Sequence, residues 1–208
     1  MKHLRIAVSG AVGSGKTTLV KALAARYQLI VLEENMKEIY HALGFWRRER
    51  RRAGVARLEL EAAYVNLIKA FEHWVNDRSK KYAIHSGFVA DRWEADALDF
   101  WLKVLGDFAN DEATIKLVQN MRKQAALFDF IIMLPLLKPF AEVRNEDGLV
   151  RRKSFSLRLM SYLMTEGLIR QCPGARVIYL PNQPQSVEER VAFIEKMIME
   201  KMPRSNRN

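Results

Sequence analysis

The sequence predicts an α/β fold, a parallel sheet covered by helices on both faces. Three observations carry it. Short apolar stretches alternate with helical patterns along the chain, the order that gives parallel strands joined by crossover helices. The first apolar stretch, LRIAVSG, runs directly into the glycine-rich GAVGSGKTT and then into a helix. Hydrophobic residues make up 49% of the 208, enough for one domain with a substantial core.

The elements follow in order. LRIAVSG is a short strand ending in glycine, and GKTTLVKALAARY has helical periodicity, with Leu19, Leu23 and the alanines on one side. QLIVLEE is a second strand that ends in two carboxylates. Residues 36–81 read as mostly helical, with a long amphipathic stretch formed by Leu58, Ala62, Val65, Leu67, Ile68, Phe71 and Val75. AIHSGFVADR holds a third strand centred on Gly87 to Ala90, and two helices fill residues 94–126. FDFIIMLP is a fourth strand stopped by Pro135. Residues 138–153, polar and charged with Pro139 and Gly148, read as a mobile loop. A helix over 154–170, a fifth strand in ARVIYLP and a closing helix complete the chain. Ser186 and Glu189 form a capping box at the start of that last helix. Residues 203–208 read as a fraying tail.

Composition narrows the function. Lys and Arg number 34 against 24 Asp and Glu, a formal net charge of +10 that favours anionic ligands: nucleotides, nucleic acid or acidic lipid. Cys172 is the only cysteine, which excludes an internal disulfide and suits a small core or loop residue. His73 and His85 have no partner at metal-ligand spacing. The start of the chain does not read as a signal peptide, and no run approaches the ~18 apolar residues of a membrane span. A soluble, cytoplasmic protein of one domain, residues 1–208, is expected.

The phosphate-cradling loop is the most specific feature. Gly10, four residues, then Gly15-Lys16-Thr17 has the required spacing, and strand, loop and helix come in the required order. Gly10, Gly13 and Gly15 allow backbone angles and close approach that side chains would block. Backbone N–H groups from Ser14 through Thr18, at a helix N-terminus, suit phosphate. Lys16 supplies charge to the β- and γ-phosphates, and the Thr17 hydroxyl suits Mg²⁺. ATP is favoured over GTP, because no Asn-Lys-x-Asp stretch is present.

In a parallel sheet the ligand gathers at the carboxyl ends of the strands. There the sequence places Glu33-Glu34 after the second strand and Asp91-Arg92 after the third. Asp91 is expected to hold Mg²⁺, directly or through water; the competing role is a cap for the following helix. Arg92 is expected to clamp an acceptor or a phosphate. Glu34, or with less support Glu33, is expected to take a proton from an acceptor hydroxyl. Trp93 and Trp101 read as packing residues, with Trp93 able to wall an acceptor pocket. The fourth strand ends in Leu134-Pro135 without an acid, which favours phosphotransfer over a motor ATPase. Among Arg144, Arg151 and Arg152 in the 138–153 loop, at least one is expected to neutralise transition-state charge.

Six arginines lie between Arg47 and Arg57, interrupted among charged residues only by Glu49. They read either as an anion site, for a nucleotide, a nucleic acid end or an acidic lipid, with Phe45 and Trp46 stacking a base, or as a solvated connection between helices with both aromatics in the core. The second reading is preferred. On it, replacing Arg50, Arg51 and Arg52 with serine changes solubility more than catalysis.

Taken together these motifs resemble the P-loop ATPase/kinase-like family typified by the ribosylnicotinamide kinase part of NAD-metabolism regulators, itself similar to deoxynucleoside kinases. The resemblance spans nearly the whole chain through GAVGSGKTTLVKAL, VLEENMKEI, DRWEADALDF, FDFIIMLPLLKPF, NEDGLVR and QSVEERVAFIEKM. It implies a three-layer α/β/α P-loop NTPase with five strands ordered 2-3-1-4-5, and a lid after strand four at about 138–153. It places Glu34 at the acidic position after strand two, Asp91, Arg92 and Asp96 in the second motif, and Asp147, Gly148 and Arg151 in the lid motif. It implies ATP and Mg²⁺ as cofactors and transfer of the γ-phosphate to a nucleoside, nucleotide or related small acceptor. The family also contains AAA-like, nucleotide-dependent binding proteins, so a switch or ATPase acting on a protein, lipid or nucleic-acid partner is the alternative. Asn35-Met36-Lys37 and the longer Asp147-to-Arg151 spacing depart from the usual pattern and leave the acceptor open.

Overall fold

The computed structural model describes residues 3–52, 54, 56–105, 110–136, 154–183 and 186–201. Five short strands, β1 (Arg5–Ser9), β2 (Ile30–Leu32), β3 (Phe88–Asp91), β4 (Phe130–Met133) and β5 (Val177–Tyr179), form one sheet ordered β2-β3-β1-β4-β5. Every pairing is parallel. The helices are α1 (Lys16–Tyr27), α2 (Lys37–Arg51), α3 (Arg57–Ile84), α4 (Glu94–Leu105), α5 (Asp111–Ala125), α6 (Phe155–Arg170) and α7 (Val187–Lys201). This is the expected strand order. It puts β1, which leads into the glycine loop, between β3 and β4.

The chain divides into two compact units, one of residues 1–33 and 85–208, the other of residues 34–84. In the first, strand alternation sends Ile6 and Val8, with Val89, Ile132 and Ile178, to one face of the sheet. There they pack with Leu19, Val20 and Leu23 of α1 and Ile194 and Ile198 of α7 in one buried cluster. Elsewhere in this unit Phe128 meets the rings of Phe88 and Trp93 edge-on, at 6.1 and 5.4 Å, and α4 packs against α5 and α6. The Trp101 indole is fully buried and donates to Thr114 Oγ1 at 2.9 Å. Cys172 is buried at the end of α6, and burial pushes its thiol pKa up. The capping box of α7 forms as the sequence predicts: Glu189 N donates to Ser186 Oγ at 3.1 Å, and Ser186 N donates to Glu189 Oε2 at 2.8 Å.

The second unit is a helical pair in which α2 packs on α3. Its buried residues are Ile39, Leu43 and Trp46 on α2, and Ala63, Leu67, Phe71, Trp74 and Val75 on α3. Arg78 is buried between two aromatic faces, 5.1 Å from the Trp74 ring and 5.8 Å from the Tyr82 ring.

Four local expectations need correction. Leu58 and Val65 are exposed, at 77% and 44%, and Ala62 is exposed too. The expected Leu67, Phe71 and Val75 are buried, and Ala63, Trp74, Arg78 and Tyr82 complete the stripe, because aromatic and arginine side chains supply part of it. On α1, Ala24 is buried but Ala25 faces solvent. The third strand runs one residue later than Gly87–Ala90, to Asp91. The arginine run is not a connection: α2 continues through Arg51, and Phe45 is 42% exposed while Trp46 is buried.

Candidate functional site

The register of the sheet builds the site. Val8 lies opposite Asp91 and Ser9 opposite Met133, so β1, β3 and β4 end together where the glycine loop begins. Gly10 leaves β1 with φ +148°, and a Cβ there would sit 3.0 Å from Leu134 Cβ and 3.2 Å from Leu134 O. Gly15 caps α1 with φ +88° and ψ 22°. These two positions require glycine for different reasons, close approach at the first and left-handed backbone at the second.

Lys16 opens α1 and folds back across the loop. Its Nζ donates to Gly10 O at 2.9 Å and Ala11 O at 2.8 Å, and the side chain is buried. Two arginines that sequence reasoning did not single out act on the same loop. Arg158 of α6 donates from Nε to Val12 O at 3.0 Å, and Arg190 of α7 donates from NH1 to Ser14 O at 3.1 Å. Burial pushes the Arg158 pKa down from its ordinary value. Three cations therefore hold the carbonyls of Gly10, Ala11, Val12 and Ser14. A trans peptide sets the next N–H opposite its carbonyl. The N–H groups of Gly13 and Gly15 consequently face away from Arg158 and Arg190, which suits an anion on the open side of the loop. Thr17 and Thr18 are exposed there, while Ser14 is buried.

Thr17 Oγ1 donates to Asp91 Oδ2 at 2.7 Å. A hydroxyl and a carboxylate at that distance are the hard oxygen ligands that Mg²⁺ takes beside a nucleotide. Among the described residues no group of three His, Cys, Asp or Glu side chains gathers as a metal site. The pair of Thr17 and Asp91 fits an ion whose remaining ligands are phosphate oxygens and water. Asp96 is buried and ties β1 to α4: Ser9 Oγ donates to Asp96 Oδ2 at 2.6 Å, and Trp93 Nε1 donates to Ser9 Oγ at 2.8 Å. Burial raises the Asp96 pKa above the ordinary carboxylate range, and the charges of Arg92 and Lys16 oppose that rise. Arg92 takes a left-handed φ of +63° and points NH1 toward Asp96 Oδ1 at 3.4 Å. Trp93 is fully buried.

Glu33 follows β2 and is exposed. Glu34 belongs to the helical-pair unit. Its carboxylate accepts from the Tyr40 hydroxyl at 3.0 Å, and its carbonyl accepts from Trp74 Nε1 at 2.8 Å. The expected lid at 138–153, with Arg144, Asp147, Gly148, Arg151 and Arg152, lies outside the described residues. Among those described, no helix is long and apolar enough to cross a membrane.

Comparison with known proteins agrees with this architecture. A deoxyadenosine kinase from M. mycoides with the products dCMP and dCDP bound superposes with a TM-score of 0.61 at 15% identity, covering 96% of this chain and 100% of that one. Thymidylate kinase from Candida albicans gives 0.59 at 11% identity, covering 95% and 92%. Shikimate kinase from Acinetobacter baumannii in complex with shikimate gives 0.51 at 12% identity, covering 97% of each. No curated protein matches in sequence. The fold is that of the P-loop kinases, and with a family model matching residues 5–190 the chain belongs to the AAA domain family.

Proposed function

We propose that the protein is an ATP-dependent phosphotransferase that hands the γ-phosphate to a small hydroxyl-bearing acceptor of the nucleoside or nucleotide class, its two units working as one kinase domain. The observation that carries the reading is the Thr17–Asp91 bond beside a lysine-crossed glycine loop, in a sheet ordered 2-3-1-4-5. Lys16 and the N–H groups of Gly13 and Gly15 bind and orient the β- and γ-phosphates. Thr17 and Asp91 would hold Mg²⁺, which when bound offsets phosphate charge. Glu34 takes the proton of the acceptor hydroxyl as that oxygen bonds to phosphorus and ADP leaves. Its bonds from Tyr40 and Trp74 support a fixed orientation for this task. Arg92 clamps an anionic group of the acceptor, and Arg151 supplies lid charge at transfer. Deoxynucleoside and thymidylate kinases among the structural neighbours support a nucleoside-type acceptor over an unrelated alcohol.

The AAA-domain match favours a second reading, an ATPase switch that binds a macromolecular partner. Labelled ATP incubated with a panel of nucleosides and nucleotides separates the two. Label on an acceptor, lost in Glu34→Gln, is the expected result. Tight ATP binding with only slow phosphate release across the panel would reject phosphotransfer.

A further inference from the structure

We infer that the carboxyl end of α2 is a binding surface for single-stranded nucleic acid. The starting observation is Phe45. Phe45 stands 42% exposed within the arginine run, with the Arg48 guanidinium 6.0 Å from its ring. Tyr40 on the same helix is 47% exposed. Between them Gly44 sits inside the helix, where glycine costs about 1 kcal/mol relative to alanine. A Cβ at Gly44 would meet nothing within 4 Å, so packing does not demand the glycine. Tyr40, Gly44 and Phe45 therefore belong to a part of α2 that packing leaves open.

The charges on this part of the chain are sorted. Arg52 is engaged by Glu49 and Glu59, at 3.5 and 3.8 Å, Arg57 by Glu61 at 2.8 Å, and Arg50 lies over the Trp46 ring at 5.3 Å. Arg47, Arg48 and Arg51 are exposed, and no carboxylate forms an ion pair with them among the described residues. All three are arginine, whose planar fork matches a phosphodiester better than lysine does. Stacking rings beside phosphate-binding cations are the means by which proteins hold unpaired strands without reading sequence. An anionic membrane fits less well. The apolar face of α2, Ile39, Leu43 and Trp46, is already buried, which leaves too little to insert among lipid chains.

The inference does not rest on the phosphotransferase reading. The test is fluorescence anisotropy of the full chain with a labelled 16-nucleotide oligo-dT as salt is raised. Three neutralised phosphates predict a log–log slope of about −2, which is roughly a 20-fold weakening between about 50 and 200 mM salt. The triple variant Arg47→Ser/Arg48→Ser/Arg51→Ser should flatten that slope. Phe45→Ala should weaken binding at least about 5-fold while keeping the slope, and should have no effect on an abasic oligonucleotide. Circular dichroism confirms that each variant keeps its helices. Equal binding of polyglutamate, tighter binding of phosphatidylserine vesicles, insensitivity to Phe45→Ala, or displacement of the oligonucleotide by excess MgATP would each overturn the inference. The last would place the oligonucleotide at the phosphate loop instead.

Discussion

Lys16→Ala probes the phosphate loop in two states with one assay. In the free protein the ammonium holds two carbonyls, at 2.9 and 2.8 Å, from a buried position. A hydrogen bond to a charged group contributes about 1.5–3 kcal/mol. Two terms reduce the loss: water reaches the loop through exposed Gly13 and Thr17, and burying the ammonium is itself costly. A net destabilisation of about 1–2 kcal/mol follows, or roughly 2–8 °C in Tm for a chain of this size. With MgATP at 100 times its Kd the wild type gains about 2.7 kcal/mol, a rise of roughly 5–11 °C. If the variant binds 100-fold more weakly, its gain at the same ATP concentration is about 0.4 kcal/mol, near 1–2 °C. Differential scanning fluorimetry with and without MgATP reads both numbers. A variant that keeps the full ATP-induced rise would refute the role of Lys16, and with it the loop as the nucleotide site.

Gly10→Ala should destabilise by about 3 kcal/mol, because a strained φ coincides with a fixed Leu134 backbone oxygen, whereas Gly15→Ala should cost nearer 1 kcal/mol, since its close neighbour is the movable end of Arg190; equal melting points for the two would contradict this. Asp91→Asn keeps an acceptor for Thr17, so the apo melting point should hold while the gain in ATP affinity on adding Mg²⁺ falls by about tenfold or more, as calorimetry in Mg²⁺ against EDTA would show. Asp96 has a folded-state pKa above its unfolded one, so it binds more protons when folded. Its contribution to stability therefore falls as pH rises from the ordinary aspartate range through the folded pKa, and is flat above it. Asp96→Asn, which still accepts from Ser9, should gain on the wild type in urea titrations as pH increases over that window; a difference constant with pH rejects the assignment.

What was legible in the sequence was local. The strand–loop–helix spacing placed Lys16 and Thr17, the apolar alternation placed five strands, and Ser186 with Glu189 announced α7, because each signal is complete within a few residues. The strand order came from resemblance, and the sheet has it. On α3 the expected Leu67, Phe71 and Val75 are buried, but Leu58, Ala62 and Val65 are not, and the amphipathic pattern gave no sign that Trp74, Arg78 and Tyr82 complete the buried face. The placement of Phe45 failed for a related reason. Adjacent helical residues point about 100° apart, so Phe45 and Trp46 could not both turn inward as the preferred reading had it. Arg158 and Arg190 were not singled out because nothing near them in sequence marks their partners, which lie 146 and 176 residues away. The Ser9–Asp96 bond spans 87 residues and was equally silent, although Asp96 itself stood in a recognisable motif.

Those long-range contacts change what the phosphate loop is. Its spacing guarantees a turn of the right size, but phosphate binding also depends on which way each peptide faces. Here carbonyls are fixed by Lys16 from α1, Arg158 from α6 and Arg190 from α7. The same cations raise the potential over the loop, while Asp91 places a carboxylate at the end of β3. The Thr17 hydroxyl, one residue after Lys16, already points to Asp91. Helix α6 is itself anchored: Ser161 Oγ donates to Asp99 Oδ2 at 2.6 Å, and Lys103 Nζ lies 2.6 Å from the same oxygen. That anchor sits less than one helical turn from Arg158. A shift of α6 would therefore act on Val12 through Arg158, so the arrangement of the loop depends on α6 as well as on its own glycines.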